Sequence, residues 1–207
     1  MSYRFDASLR ERLAAHLAAH PRRRHTDPAL RRAAVVLIAA DAGDGSAALL
    51  LTLRPMRMRR HANQFAFPGG RLDQGETATQ AALRETREEI NLDLAPDMLL
   101  GRLDDFPTRS GFVITPLVAW APGELALRAN PEEVARIHRI RFHDLELPGS
   151  PQFVAIPESD RPVIRYPLLD TLIHAPTAAL MYQFMEVAVH GRDTRVAHLE
   201  QPVWAWR

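Results

Sequence analysis

The chain has 207 residues, of which 46% are hydrophobic and 25% are charged, with a formal net charge of +1. This length and apolar content suffice for one sizeable core, and the near-neutral charge argues against a general nucleic-acid binder. Cysteine is absent, which excludes disulfides, thiol catalysis and thiolate zinc sites. No apolar run approaches the roughly 20 residues of a membrane span, and the N-terminus lacks the apolar core of a signal peptide. We therefore expect no membrane association and a cytoplasmic location.

The first predicted element is a helix over residues 8–19, in which leucines recur at helical spacing and Ser8 is the expected N-cap. A basic stretch over residues 20–25 (HPRRRH) then breaks the helical pattern. We interpret it as a solvated linker, with an anion-binding arm as the alternative. The helix and the linker together make up a predicted N-terminal segment, residues 1–32.

A β-hairpin is predicted next. Residues 33–40 form an apolar, β-branched run typical of a buried strand, and residues 47–54 have the composition of its partner. The intervening sequence DAGDGS, residues 41–46, has the composition of a turn. We assign everything from residue 33 to residue 207 to one domain.

Three carboxylates on the next predicted helix form the most informative pattern in the chain. Glu85, Glu88 and Glu89 are spaced by three and four residues. An α-helix turns about 100° per residue, so all three point into one small volume within about 100° of arc. Like charges at this spacing repel one another, and a divalent cation relieves the repulsion. The pattern predicts a metal site, and an acidic, solvated helix is the plainer alternative.

The remaining side chains of this helix divide between two faces. The face expected to pack on the core carries Thr79, Leu83, Thr86 and Ile90. The face expected to leave open space beside the carboxylates carries Ala78, Ala81 and Ala82.

The stretch from Gly70 to Leu92 reads GRLDQGETATQAALRETREEINL. The spacing of its charged residues resembles the signature of the Nudix hydrolases. Two positions differ from that signature: Thr86 stands where an aliphatic residue is usual, and Asn91 replaces a glycine that ends the helix in a left-handed conformation, which Asn also tolerates. The resemblance implies an α/β fold, a Nudix-type α/β/α sandwich with a mixed sheet and the signature loop-helix-loop.

The resemblance also implies a set of metal ligands. Mg²⁺ or Mn²⁺ would be held by Glu85 and Glu89, with Glu88 contributing directly or through water. The Gly69 carbonyl is a further ligand by the same resemblance.

The catalytic roles follow from the same comparison. Arg84 would orient the carboxylates by ion pairing, and Glu76 would brace the loop or lie in the outer metal shell. The general base stays open among Glu89, Glu88 and Glu133. Glu133 lies in the sequence NPEEV, where it could equally be an ordinary exposed residue.

The segment before the signature, residues 49–70, reads LLLTLRPMRMRRHANQFAFPGG and is rich in arginine, whose planar fork suits phosphate oxygens. A charged surface loop that balances the glutamates is the alternative. The segment resembles the motif LLTxRSxxLRxHxGQxxFPGG of the coenzyme A pyrophosphatases within the Nudix superfamily, although Pro55 and Asn63 replace a serine and a glycine. The substrate-binding residues that this resemblance implies are Arg54, Arg59, His61 and Gln64.

Further strands are predicted over residues 98–106, 112–120 and 134–142. Residues 145–160 are rich in proline and are interpreted as a loop or a lid over the substrate. A short strand is predicted from Val163 to Tyr166.

An amphipathic helix is predicted over residues 176–190, with Pro176 in its first turn and Gly191 as its stop. His174, just before it, is interpreted as structural. The tail carries Trp204 and Trp206, which alternate as strand residues would and which, if exposed, suggest a homodimer contact.

The sequence thus predicts a metal-dependent pyrophosphohydrolase with a small nucleotide substrate. The preferred substrate is coenzyme A or acyl-CoA, giving 3′,5′-ADP and (acyl-)4′-phosphopantetheine. One alternative is a Nudix hydrolase of ADP-ribose or dinucleoside polyphosphates. The other is a non-catalytic Nudix-fold module that senses a ligand or binds a protein, against which the intact glutamate triad argues.

Overall fold

The computed structural model of the chain describes residues 3–56 and 63–205. The helices are α1 (Ala7–Ala19), α2 (Ala78–Ile90) and α3 (Thr177–Gln183), and α3 continues into a π-helical turn, Phe184–Val189. The strands are β1 (Arg31–Asp41), β2 (Ala47–Leu53), β3 (Phe65–Ala66), β4 (Gly69–Arg71), β5 (Leu99–Arg102), β6 (Phe106–Pro107), β7 (Phe112–Trp120), β8 (Arg136–Arg141), β9 (Gln152–Ile156), β10 (Ser159–Leu168) and β11 (Thr171–His174). Within these residues, every helix is too short or too polar to cross a bilayer.

Strands β1 to β8 form one mixed sheet, in which β1 and β7 run parallel and the other paired strands run antiparallel. Strand β1 pairs with β2 near its end and with β4 near its start. Strand β2 pairs with β3 at its own end. The segment from β3 to β4 therefore fills the space where the β1–β2 hairpin opens, and this is where the chain reaches α2.

The two faces of the sheet are covered by different helices. Successive residues of β1 point to opposite faces, so Leu37 and Ala39 join one core cluster while Val36 and Ile38 join the other. The first cluster includes the buried leucines of α1 and the apolar face of α3, namely Leu9, Leu13, Leu17, Leu180 and Phe184. The second includes residues of α2. This layering confirms the predicted α/β/α sandwich.

Both ends of α2 are fixed by local sequence. Thr77 is the N-cap and forms a capping box with Gln80. At the other end, Asn91 adopts the left-handed conformation, with φ at 55°. Asn91 thus ends the helix as the glycine of the Nudix signature would.

Two predictions about helical residues were wrong. Ala81 and Ala82 do not leave open space beside the carboxylates, because both are fully buried in the second core cluster. The N-cap of α1 is Asp6 instead of Ser8, since the Asp6 carboxylate accepts a hydrogen bond of 2.9 Å from the Leu9 amide. Both residue types cap helices, and only the backbone geometry distinguishes them.

The predicted loop or lid over residues 145–160 was also wrong. This segment contains β9 and the start of β10, and β10 is the central strand of a second, three-stranded sheet, between β9 and β11. The predicted short strand Val163–Tyr166 is the middle of β10. Trp204 lies in a 3₁₀ turn, Val203–Ala205, and not in a strand, while Trp206 lies outside the described residues.

The basic linker after α1 is solvated only in part. Two of its arginines, residues 23–24, are exposed, as predicted, but the His20 side chain is 2% exposed and lies 3.2 Å from Asp104. Arg22 pairs with Asp105 at 2.6 Å. Two aspartates between β5 and β6 thus anchor the linker to the sheet, and local sequence patterns do not reveal partners that lie about 80 residues along the chain.

Asp104 is the centre of this anchor, with a side chain 5% exposed. Its carboxylate accepts hydrogen bonds from the Arg23 amide, from Gln183 and from Arg195. Burial alone would raise the pKa of Asp104, but these hydrogen bonds hold it below its usual value. We expect Asp104→Asn to lower the free energy of unfolding by ~3 kcal/mol, because it leaves the largely enclosed guanidinium of Arg195 without the buried half of its counter-charge. Urea denaturation at pH 7 measures this loss.

The matched control is Asp193→Asn, since the Asp193 side chain is 63% exposed and pairs with the same Arg195. A surface pair of this kind contributes less than about 1 kcal/mol. Because the pKa of Asp104 is lowered in the folded state, its stabilisation is complete above its usual value of 3.8 and is lost as the pH falls through the lowered value. The difference between wild type and Asp104→Asn should therefore shrink below about pH 4. Equal stabilities at pH 7 would contradict the anchoring role.

Candidate active site

Three carboxylates meet at the C-terminal half of α2. Glu85 and Glu89 lie one turn apart on the helix, and Glu133 reaches them from the connection before β8. One carboxylate oxygen from each lies within 4.8 Å of the others. Glu89 is the most enclosed of the three, at 3% exposure. The structure thus brings together two predicted metal ligands and the residue that the sequence offered only as an additional base.

The position of Glu133 is set by hydrogen bonds to the end of α2. The Arg128 amide donates to the Ile90 carbonyl, and the Asn130 amide donates to the Glu89 carbonyl at 2.8 Å. The Glu133 amide in turn donates to the Asn130 carbonyl. The connection between β7 and β8 is therefore attached to the helix end, and it carries Glu133 to the site.

The Gly-Gly turn allows the loop to approach the carboxylates. The Gly69 amide donates a hydrogen bond of 3.2 Å to Glu89. A Cβ atom at Gly69 would collide with the backbone of Ala34, and one at Gly70 would overlap the carboxylate of Glu85. Glycine is therefore a steric requirement at position 69, where the neighbour is backbone, whereas a side chain at position 70 would push the Glu85 carboxylate out of its place.

Arg84 connects the carboxylates of the loop and the helix. Its guanidinium donates two hydrogen bonds of 3.0 Å to Glu76, one of 2.9 Å to Glu85 and one of 3.0 Å to Glu88. It also donates to the Arg71 carbonyl. The planar fork of arginine makes this multiple pairing possible.

Glu88 does not belong to the group of three carboxylates. Its side chain is 53% exposed and accepts a hydrogen bond from the same Arg84 nitrogen that binds Glu85, but its oxygens lie outside the group of three. Of the three glutamates that the helical spacing predicted to converge, the structure therefore groups Glu85 and Glu89 and leaves Glu88 at the rim.

Glu76 ties the signature loop to the helix. Besides its paired contact with Arg84, it accepts a hydrogen bond of 2.9 Å from the Asp73 amide. The hydrogen bonds from Arg84 hold the pKa of Glu76 below its usual value, against the opposing effect of burial. Glu76 is thus a charged brace within the loop.

The electrostatics of the cluster favour a bound cation. Burial raises the pKa of Glu89 to about 8, although the Gly69 amide and the charge of Arg54 oppose the increase. Burial also raises the pKa of Glu85, against the effect of Arg84, and Glu133 adds repulsion to both groups. Three hard oxygen donors that resist ionisation together fit a divalent cation such as Mg²⁺ or Mn²⁺.

The structure describes two of the four predicted substrate-binding residues. Arg54 begins the turn after β2, and its backbone exchanges hydrogen bonds with Gln64 and Asn63 across that turn. The Arg54 Nε atom is buried and has no hydrogen-bond partner among the described residues, and the Arg54 charge acts on Glu89. Arg59 and His61 lie outside the described residues.

Asn63 has φ at 55°, so it keeps the left-handed conformation for which the motif uses glycine. This departure from the motif therefore leaves the turn geometry intact.

Sequence reasoning missed one histidine near this turn. His138, on β8, packs against the edge of Phe65 with ring centroids 5.3 Å apart, and its buried Nε2 lacks a hydrogen-bond partner. Burial lowers the pKa of His138, and the charge of Arg136 adds to the effect. A single histidine in a strand offered no pattern from which this position could be found.

Comparison with known proteins agrees with this geometry. The NUDIX domain profile matches residues 29–165. The uncharacterized Nudix hydrolase NudL of Yersinia enterocolitica is 39% identical over 97 residues, which cover 46% of this chain and 50% of that protein. Nudix hydrolase 3 of Caenorhabditis elegans is 34% identical over 149 residues, 68% of this chain and 62% of that protein. The chain thus spans about half the length of the NudL relative and less than two thirds of the nematode protein.

Two solved structures share the fold. A MutT/nudix family protein from Enterococcus faecalis has a TM-score of 0.56 and 18% identity, over 80% of this chain and 64% of that one. The Nudix hydrolase RenU from M. smegmatis has a TM-score of 0.51 and 22% identity, over 77% of this chain and 86% of that one. These two likenesses show the fold, and the profile match over residues 29–165 shows the family: the chain belongs to the NUDIX domain family.

Proposed function

We propose that the chain hydrolyses the pyrophosphate bond of a nucleoside diphosphate derivative with the help of Mg²⁺ or Mn²⁺. The observation that carries this proposal is the group formed by Glu85, Glu89 and Glu133, whose carboxylate oxygens lie within 4.8 Å of one another. Such a group is costly without a cation, as the raised pKa of Glu89 indicates. A non-catalytic binding module would gain nothing from this group of mutually repelling carboxylates.

In this proposal Glu85, Glu89 and Glu133 hold the cation, and the Gly69 carbonyl is a further ligand. The bound cation supplies charge neutralisation for the phosphate oxygens and makes water more acidic. Glu88 contributes from the rim through water. The proton of the attacking water passes to a carboxylate, for which Glu89, Glu88 and Glu133 all remain candidates.

Arg84 and Arg54 act on the site through their contacts and their charge, and Glu76 and Gln64 lie beside them. Arg84 holds one oxygen of Glu85 by a 2.9 Å hydrogen bond, so the other oxygen is free to face the cation, and Glu76 holds Arg84 in place. Arg54, with a buried Nε lacking a partner beside Glu89, is positioned to meet a phosphate oxygen. Gln64 faces it across the same turn.

Coenzyme A or acyl-CoA is the substrate we favour, with 3′,5′-ADP and (acyl-)4′-phosphopantetheine as products. The support is the motif over residues 49–70, in which Asn63 preserves the required backbone conformation. The second candidate is hydrolysis of ADP-ribose or a dinucleoside polyphosphate. It is favoured by Pro55, which is buried and removes the hydroxyl that the coenzyme A motif has there.

Glu89→Gln tests the metal site. The variant keeps the shape of the side chain and removes its charge, so we expect the metal-dependent rate of pyrophosphate hydrolysis to fall by at least about 100-fold. Titration of Mn²⁺, followed by its paramagnetic resonance signal, should show a parallel loss of affinity.

Glu11→Gln, on the exposed surface of α1, makes the same chemical change away from the cluster and should keep the wild-type rate. Unchanged metal-dependent turnover in Glu89→Gln would contradict the assignment of the site.

Arg84→Lys tests the positioning role of Arg84. Lysine keeps the positive charge but cannot pair with Glu76, Glu85 and Glu88 together, so we expect kcat to fall about 10- to 100-fold. The metal concentration needed for half-maximal rate should rise, because Glu85 loses its fixed orientation. A change in substrate KM alone, with the metal dependence of wild type, would instead place Arg84 on the substrate.

Parallel assays with coenzyme A and ADP-ribose, first with Mg²⁺ and then with Mn²⁺, test the substrate. We expect conversion of coenzyme A to 3′,5′-ADP, resolved by chromatography, with little loss of ADP-ribose. The reverse preference would leave the metal site standing and reject the assignment of the 49–70 motif. No turnover of either compound would favour a binding module or a substrate outside both classes.

A further inference from the structure

A cavity lies beside the turn that carries Arg54, apart from the carboxylate cluster. It has a volume of about 580 Å³, within the range of small-molecule sites, and lies between β11, the start of α3 and the end of the turn. Its lining includes Asn63, Gln64, Phe65, His174 and Trp204.

The cavity and Arg54 share one piece of backbone. The Arg54 amide donates to the Gln64 carbonyl at 3.0 Å, and the Asn63 amide donates to the Arg54 carbonyl at 3.2 Å. Phe65 follows at once and lies four residues before Gly69, a separation of at most about 14 Å along the chain. A ligand that occupies the cavity can therefore extend towards the carboxylate cluster.

The lining of the cavity is uncharged. Its residues within the described part of the chain are apolar, amide or hydroxyl side chains together with one histidine, and include no arginine, aspartate or glutamate. Burial lowers the pKa of His174, which favours the neutral imidazole. The described lining therefore suits an uncharged group with hydrogen-bonding edges.

Trp204 supplies a planar surface at the mouth of the cavity. It is 57% exposed, and its ring meets His174 edge-on, with centroids 5.7 Å apart and planes at 86°. The contact with His174 holds the indole beside the cavity, and its exposure leaves part of the ring surface accessible for stacking. An exposed tryptophan that borders a cavity is typical of a binding surface.

We propose that this cavity binds the heteroaromatic base of the nucleotide substrate, stacked on Trp204 and hydrogen-bonded at the Asn63–Gln64 rim. The identity of the ligand rests on the proposed function, which calls for a nucleotide. The base would lie on the Asn63–Gln64 side of the turn, and the phosphates would lie on the Arg54 side. Base–aromatic stacking tolerates any base, so the cavity selects for the presence of a base more than for its identity.

The test is the binding of adenosine 5′-monophosphate, measured by calorimetry without a divalent cation, so that hydrolysis plays no part. We expect Trp204→Ala to weaken this binding by about 5- to 100-fold, the range for the loss of one stacked base. Trp204→Phe should restore most of the affinity. Ribose 5-phosphate, which lacks the base, should bind wild type and Trp204→Ala alike.

Leu147→Ala is the matched control, since Leu147 is a similarly exposed apolar residue that lies outside this cavity. Equal affinity of wild type and Trp204→Ala for adenosine 5′-monophosphate would overturn the proposal, as would the absence of measurable binding to wild type. If Trp204→Ala instead changed the oligomeric state and left the affinity for adenosine 5′-monophosphate unchanged, the proposal would be overturned. The indole would then belong to a contact between two copies of the chain. Suppose that wild type hydrolyses neither coenzyme A nor ADP-ribose, while Trp204→Ala still weakens the binding of adenosine 5′-monophosphate. The base site would then be retained and the proposed hydrolase activity rejected.

Discussion

The mutual repulsion of Glu85, Glu89 and Glu133 is the constraint on which the site depends. Three carboxylates within 4.8 Å, one of them buried, cannot all be ionised at low cost. The surrounding structure holds them there nonetheless, through the Gly69 amide on one side and the Arg84 guanidinium on the other. The protein therefore maintains an arrangement whose electrostatic cost a divalent cation can offset.

The sheet provides the rigidity for this arrangement. The segment from β3 to β4 enters where β1 and β2 separate, which places the Gly-Gly turn against β1 and beneath α2. Asp104 and Asp105 fasten the N-terminal linker to the same sheet, where Gln183 of α3 also binds Asp104. The helix layer formed by α1 and α3 is thereby tied to the sheet by buried polar contacts as well as by apolar packing.

Much of the fold could be predicted from local patterns. The hairpin of β1 and β2, strand β7 and helix α2 with its Asn91 cap follow from periodicity and capping chemistry, which act between near neighbours. The residues from 145 to 160 could not be predicted in the same way, because proline-rich composition suggested a loop. Strand β9 is stabilised by pairing with β10, which in turn pairs with β11, and composition does not reveal these partners.

The helix that carries Glu85 and Glu89, the glycines before it and the Nudix signature could be predicted from residue order, because these features depend on spacing within one turn or one helix. The identity of the third carboxylate depends on how distant parts of the chain pack together. Glu88 shares the helix but points to the rim, whereas Glu133 arrives from a distant connection attached to the helix end. Helical spacing fixes the direction of a side chain, and chain topology decides what it meets.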